Sequence, residues 1–336
     1  MLLDDRKAAI LRAVVKEYID TAQPVGSAHV ARLGELNVSP ATVRNEMAQL
    51  EREGFLAHPH TSAGRIPTDK GYRFFVDHLQ NRPGTLGPEE RAQVQQFFAR
   101  AHGELERMLQ DTSKLLSNLT TYAALVVAPP HEGAHIRGVQ LVPLGPRVAV
   151  AVAVLANGAV EKAHIELADG TGEERVAAAA VHLSAHMVGR PLADERPIPP
   201  TGDPATDALV TAARQALWDA HDSEADQIFI GGAARMASTF QAVDTVRQVL
   251  AGLEQQYVLV SLLREALGDE GLTVAIGTEH GVDSLAECSI VVAPYQVDGS
   301  HVGTIGVLGP TRMNYPQAMA AVAIVSARLG RHLREG

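Results

Sequence analysis

The chain has 336 residues, 46% hydrophobic and 20% charged, with a formal net charge of −10. That is a globular composition, long enough for two or three domains. It excludes a membrane span, since no apolar run approaches roughly 20 residues, and with Cys288 as the only cysteine it excludes an internal disulfide and a multi-cysteine zinc site.

The start, MLLDDRKAAI, lacks the basic-then-apolar order of a secretory signal, so a cytoplasmic location is expected. The charge is unevenly spread. Residues 1–80 hold 10 Lys/Arg and 10 Asp/Glu, leaving 19 of the 29 basic and 29 of the 39 acidic residues to the remainder. An acidic body repels a polyanion, so any phosphate contact falls to the neutral N-terminal part.

Residues 4–20 place Ile10, Leu11, Val14, Val15, Tyr18 and Ile19 at helical spacing. TAQPVGS breaks that helix, and Ser27 is expected to cap a short second one, SAHVARL, ended by Gly34. In VSPATVRNEMAQLEREG, Ser39 stands at an N-cap position, Pro40 at the first helical position and Gly54 just past the end. Val43, Met47 and Leu50 form one apolar stripe, which turns Thr42, Arg44, Asn45 and Gln49 elsewhere. Three short helices with tight turns predict a helix-turn-helix. FLAHPHTSAGRIPT then reads as two short strands around a Ser-Ala-Gly tip, a wing, and TDKGYRFFVDHL returns to helix despite Gly71.

NRPGTLGP reads as a domain linker. From Glu89 to Leu119, Phe98, Ala101, Leu105, Met108, Thr112, Leu115 and Leu119 step by threes and fours. That pattern fits either a pairing helix or a helix lying on its own domain's sheet. Strands follow at AALVVA, IRGVQLV, RVAVAVAVL and AVEKAHIEL, the last two joined by an Asn157-Gly158 hairpin signal. A helical stretch runs from about Gly172 to Asp222, interrupted by RPIPPTGDP. IFIGG, a helical region from Phe240 to Leu267, the strands LTVAI, SIVVA and HVGTIGVLG, and a helix from Tyr315 to Leu333 complete the chain. Strand-rich blocks around a helical middle predict a multidomain α+β protein with a unit inserted into a mixed sheet domain. The boundaries are expected at 1–80 for the winged helix and 81–120 for linker and connecting helix. The sheet domain takes 121–170 and 240–336, and the mainly helical insertion 171–239.

A recognition helix reads bases from the exposed N-terminal half that enters the major groove. Arg44 can donate twice to guanine and Asn45 can pair with adenine. Ser39, Thr42 and Gln49 suit phosphate or base-edge contact at that helix. The wing supplies His58, His60, Thr61, Ser62 and Arg65, with Gly64 allowing close backbone approach. Lys70 and Arg73 add two more candidate phosphate contacts. One such unit covers about half a turn of DNA, so a two-fold homodimer on an inverted repeat is expected.

SPATVRNEMAQLEREGFLAHPHTSAGRIPTDKGYRFFVD resembles the signature of the HrcA family, the bacterial heat-inducible transcription repressors. TVRNEM, LE..G, PHTSAGR.PT and GYR.FVD stand here in order, over about a quarter of the chain. The resemblance implies a winged helix, a GAF-like domain and an inserted dimerising domain. It further implies repression of chaperone operons from an inverted-repeat operator on double-stranded DNA, and dependence on the GroE chaperonin, which heat titrates away.

Other chemistries have less support. GGAAR after IFI lacks the spacing of either phosphate fingerprint, although a small-molecule sensor using the GAF-like pocket is the alternative function. His182 and His186 lie four apart on a helix and could share a metal, but no glutamate stands between them as a base. Cys288 lies in an apolar strand and the carboxylates are scattered. No enzyme activity, cofactor or metal is expected.

Overall fold

The computed structural model describes residues 3–33, 38–59, 64–80, 84–101, 105–128, 135–156, 160–192, 194, 196–223, 227–237, 240, 243–254, 259–263, 271–297 and 300–335. The N-terminal unit is built from α1 (Asp5–Thr21), α2 (Ser27–Arg32), α3 (Pro40–Arg52), the short strands β1 (Leu56–Ala57) and β2 (Ile66–Pro67), and α4 (Asp69–Gln80). The stripe predicted for α3 is its buried face: Val43, Met47 and Leu50 pack against Ile10, Leu11, Val14 and Val15 of α1. Ser39 caps α3, its Oγ accepting from the Thr42 N–H at 3.2 Å, and Gly54 turns the chain away with φ +79°.

Two local readings change. Ser27 is the first residue of α2 rather than its cap, because Gly26 occupies the N-cap position and makes no side-chain bond. Gly34 and the wing tip, including His60, Thr61 and Ser62, lie outside the described residues. The TAQPVGS break also does more than turn. Val25 exchanges both backbone hydrogen bonds with Arg65, 2.9 and 3.0 Å, tying the chain between α1 and α2 to the hairpin. Gly64 makes this possible, since a Cβ there would lie 2.6 Å from the Pro24 carbonyl carbon. Its close approach is therefore to the protein's own backbone.

The expected long helix over 89–119 is two. α5 (Pro88–Arg100) ends where Ala101 turns extended, φ −69° and ψ 111°, and α6 (Leu105–Thr120) follows. Leu105, Thr112, Leu115 and Leu119 are buried, and α6 packs on the strands and last helix of the body. The heptad-like stripe is thus a helix on its own sheet.

The body is a five-stranded sheet in the order β7 (Ile228–Gly231), β3 (Ala123–Val127), β10 (Ser300–Pro310), β9 (Cys288–Val297), β8 (Thr273–Ile276). Expected as mixed, it is antiparallel at every pairing. Alternate residues feed two cores. Ala124 and Val126 of β3 and Val291, Ala293 and Tyr295 of β9 join the cluster under α6 and α11 (Tyr315–Glu335). Ala123, Leu125 and Val127, with Cys288, Ile290 and Val292, face α9 (Ala233–Ala237) and α10 (Val243–Glu254). A sheet covered on both sides gives continuous apolar runs, which is why AALVV and CSIVVA show no polar alternation.

The insertion is larger than expected and less helical. β4 (Ile136–Gly145), β5 (Val148–Leu155) and β6 (Val160–Glu166) form their own antiparallel sheet, order β4-β5-β6, with α7 (Glu173–Met187) and α8 (Pro204–Ser223) packed on it. The boundary placed at 170/171 therefore separates strands from the helices they pack against, and β7, assigned to the insertion, pairs with β3 in the body. β5 and β6 pair from Val148↔Glu166 to Val154↔Val160, and the Asn157-Gly158 turn expected between them lies outside the described residues. In β5 the alternation Val-Ala is literal. Ala149, Ala151 and Ala153 are buried beneath the helices, while Val148 and Val154 stand 38% and 39% exposed on the open face.

Among the described residues no helix is long and apolar enough to cross a membrane.

Candidate nucleic-acid interface

The N-terminal half of α3 presents Ser39, Arg44 and Asn45 to solvent on the side opposite the buried stripe. Arg44 and Asn45 carry no ion pair or side-chain hydrogen bond among the described residues, so both bring free donors to this surface. Ser39 and Thr42 are partly committed, their hydroxyls lying 3.0 Å apart across the cap. Gln49 is half-buried in the later turns, where its amide donates to Glu53 at 2.9 Å.

The β1–β2 hairpin is held against α3 by an ion pair. Arg65 Nε donates to Glu51 Oε2 at 2.8 Å, and Arg65 Nη1 lies 2.9 Å from His58 Nδ1 and 3.3 Å from the Gly64 carbonyl. His58 is exposed beside it. Glu51 was not legible as a functional residue. The signal was present, an acid one turn past Met47 on a helix that meets an arginine-bearing hairpin. Lys70 closes the other end of α3, donating to the Glu53 carbonyl at 2.8 Å with its ammonium 4.3 Å from the Phe55 ring centroid. A cation at a helix C-terminus meets the negative end of its dipole. Gly71 lets α4 approach that end, since a Cβ there would lie 2.3 Å from the Phe55 carbonyl oxygen.

Arg73 departs from the expected set. Its Nε donates to Glu279 at 2.9 Å, one Nη donates to the Val274 carbonyl at 2.7 Å and also meets Glu279, and Asp77 lies 3.5 Å away. Glu279 raises the pKa of the guanidinium further. The same carboxylate accepts the Ile276 N–H at 2.8 Å. Arg73 is thereby spent on joining α4 to the turn after β8 and is turned away from the α3 surface. Tyr72 adds to the junction, its ring 6.0 Å from that of Tyr315 at the start of α11.

The remaining sequence candidates are absorbed by packing. Gly232, φ +73°, faces α6 so closely that a Cβ would lie 1.8 Å from Ser117 Oγ, so the GGAAR glycines serve helix–strand contact. His182 Nε2 lies 2.6 Å from the Pro199 carbonyl oxygen, and His186 Nδ1 2.9 Å from that of His182. No group of three His, Cys, Asp or Glu among the described residues could hold a metal. Burial pushes the Cys288 thiol up to about 12, which leaves it protonated and inert near neutrality.

The model of the HrcA protein C terminal domain matches residues 106–319. The chain belongs to the HrcA family. Relatives named heat-inducible transcription repressor HrcA align along the whole length. The one from Streptomyces avermitilis is 39% identical over 99% of this chain and 100% of its own, and the one from Pelotomaculum thermopropionicum 37% over 99% and 97%. The HrcA family is one of transcription repressors, not of enzymes. A crystal structure described only as a hypothetical protein at 2.2 Å resolution superposes with a TM-score of 0.73, covering 99% of each chain at 24% identity, which establishes the shared fold alone.

The assignment of Arg73 is testable. Arg73→Ala should lower unfolding free energy by about 1.5–3 kcal/mol, the range for hydrogen bonds to charged groups, while leaving the salt dependence of DNA binding intact. A salt slope flattened by about one unit, as loss of a phosphate contact requires, would place Arg73 on DNA instead.

Proposed function

We propose that this chain represses heat-shock chaperone operons by binding an inverted-repeat operator as a homodimer. Each N-terminal unit acts as a winged helix-turn-helix, with the first half of α3 in the major groove and the hairpin along the backbone. The observation that carries this reading is the pairing of Arg44 and Asn45, exposed and unpartnered among the described residues, at the start of a capped helix whose opposite face is wholly buried. Arg offers a fork for guanine O6 and N7, and Asn a donor and acceptor for adenine N6 and N7. Ser39, Thr42, His58 and Arg65 lie around this surface and act on phosphates, Arg65 keeping part of its guanidinium available beyond the Glu51 pair, while Lys70 offers its contact from the far end of α3. Contacts of this kind position the protein without reading sequence.

The dimer reading is supported by the open face of the inserted sheet. Val142, Val148 and Val154 are 42%, 38% and 39% exposed there, and α7 and α8 cover only the opposite face. A strand face carrying these exposed valines beside Lys162, His164 and Glu166 of β6 suits a two-fold contact with a second copy. The body would then act as a GAF-like scaffold between this contact and the reading heads. Relief on heating through chaperonin titration rests on the family resemblance. It needs only that the active dimer be marginally stable, since operator binding adds RT ln(1 + [L]/Kd) to whatever stability the chain has.

A gel-shift titration with an inverted-repeat duplex against a scrambled one, at two salt concentrations, tests the reading. The repeat should bind at least about 10³-fold more tightly, and Arg44→Ala should lose about 1–3 kcal/mol and relax preference at one base pair per half-site. Unchanged operator affinity in Arg44→Ala would remove α3 from the groove.

Light scattering on a Val148→Glu/Val154→Glu variant tests the contact. Dissociation to monomers with retained secondary structure is expected, whereas a persistent dimer would move the interface elsewhere.

A further inference from the structure

Between α5 and α6 runs a groove of about 720 Å³ that operator binding and the proposed dimer contact both leave unused. Its floor is apolar, formed by Phe97, Met108 and Leu115, which pack from their inner sides on the main core. Its rim is cationic: Arg100 on α5, Arg107 and Lys114 on α6. Arg100 and Arg107 are exposed and have no carboxylate partner among the described residues. The single acid lining the groove, Asp111, is already held by Lys114 at 2.8 Å.

This sign is the reverse of the surroundings, since residues 81–336 hold 19 basic against 29 acidic side chains. The spacing is also informative. On α6, Arg107, Met108, Asp111, Lys114 and Leu115 recur at helical intervals along one face, about two turns or ~12 Å. On α5, Phe97 and Arg100 face them from one turn. Two helices presenting an apolar floor and a charged rim form the receiving side of a helix-in-groove contact. We infer that this groove docks an acidic amphipathic helix of a partner protein, its apolar side chains on Phe97, Met108 and Leu115 and its carboxylates on Arg100 and Arg107. Bidentate arginine–carboxylate pairing fixes the register of such a helix. A nucleic acid backbone fits less well, because phosphates gain nothing from an aromatic and thioether floor.

The test uses the full-length protein and a fluorescein-labelled helical peptide of about 16 residues, with Leu at i, i+3, i+4 and i+7 and Glu elsewhere. Fluorescence anisotropy should show saturable binding that weakens with salt, about tenfold weaker on Arg100→Glu/Arg107→Glu and about tenfold weaker for the same peptide with Lys replacing Glu. Both substituted residues are exposed, and an unchanged circular dichroism spectrum together with unchanged gel-shift affinity for the inverted repeat verifies that the variant is folded. Phe97→Lys, which alters the floor alone, gives a second reading and should also lose binding. Absent binding, equal affinity for the double variant or for the Lys peptide, displacement by a scrambled DNA duplex, or displacement by decanoate at equal concentration would each overturn the proposal, the last two by showing a polyanion or a small amphiphile as the better occupant.

Discussion

The structure depends on how α4 meets the end of β8. Arg73 reaches across to Glu279 and the Val274 carbonyl, Tyr72 lies against Tyr315, and Gly277 sits so close that a Cβ would stand 2.3 Å from an Asp69 carboxylate oxygen. A four-helix unit with a two-stranded hairpin has a small core of its own, and the proposed reading of two half-sites requires it to be held at a fixed angle to the body. Charge-assisted hydrogen bonds from a forked guanidinium set direction as well as contact. Whatever angle the body adopts is thereby passed to α3.

The body answers to a different constraint. Among the described residues its sheet is buried on both faces, its alternate strand residues feeding one core on each side. The inserted sheet is covered on one face only, and its Val-Ala alternation separates a tight helix-facing side from an open valine side. Alanines let α7 and α8 come close; valines on the other side gain only when something covers them. Excess negative charge in the same portion of the chain disfavours a polyanion there and leaves the neutral N-terminal unit the better-suited surface for one.

Local features were legible in the sequence because they are local. Ser39, Pro40, the Val43-Met47-Leu50 stripe and Gly54 specify α3 within a few residues, and the hairpins β1–β2 and β5–β6 follow from neighbouring segments. Long-range pairings were not. Arg73 and Glu279 are 206 residues apart, so nothing near Arg73 distinguishes an internal ion pair from a phosphate contact. Val25 looked like part of a breaker, because its bridge to Arg65 needs Gly64 to bring the backbones together. The bounds of the insertion are set by long-range pairing as well. β7 reads as one more short apolar run, and only its register against β3 assigns it to the body. Glu51 gives no local signal because its partner, Arg65, lies 14 residues away on the hairpin.

The central claim is that two copies of the N-terminal unit read two half-sites together. Hydroxyl-radical footprinting of a duplex carrying the inverted repeat measures this directly. The account predicts two protected segments related by the dyad, appearing at the same protein concentration. One protected half-site at saturation, or uniform protection along the duplex, would contradict it.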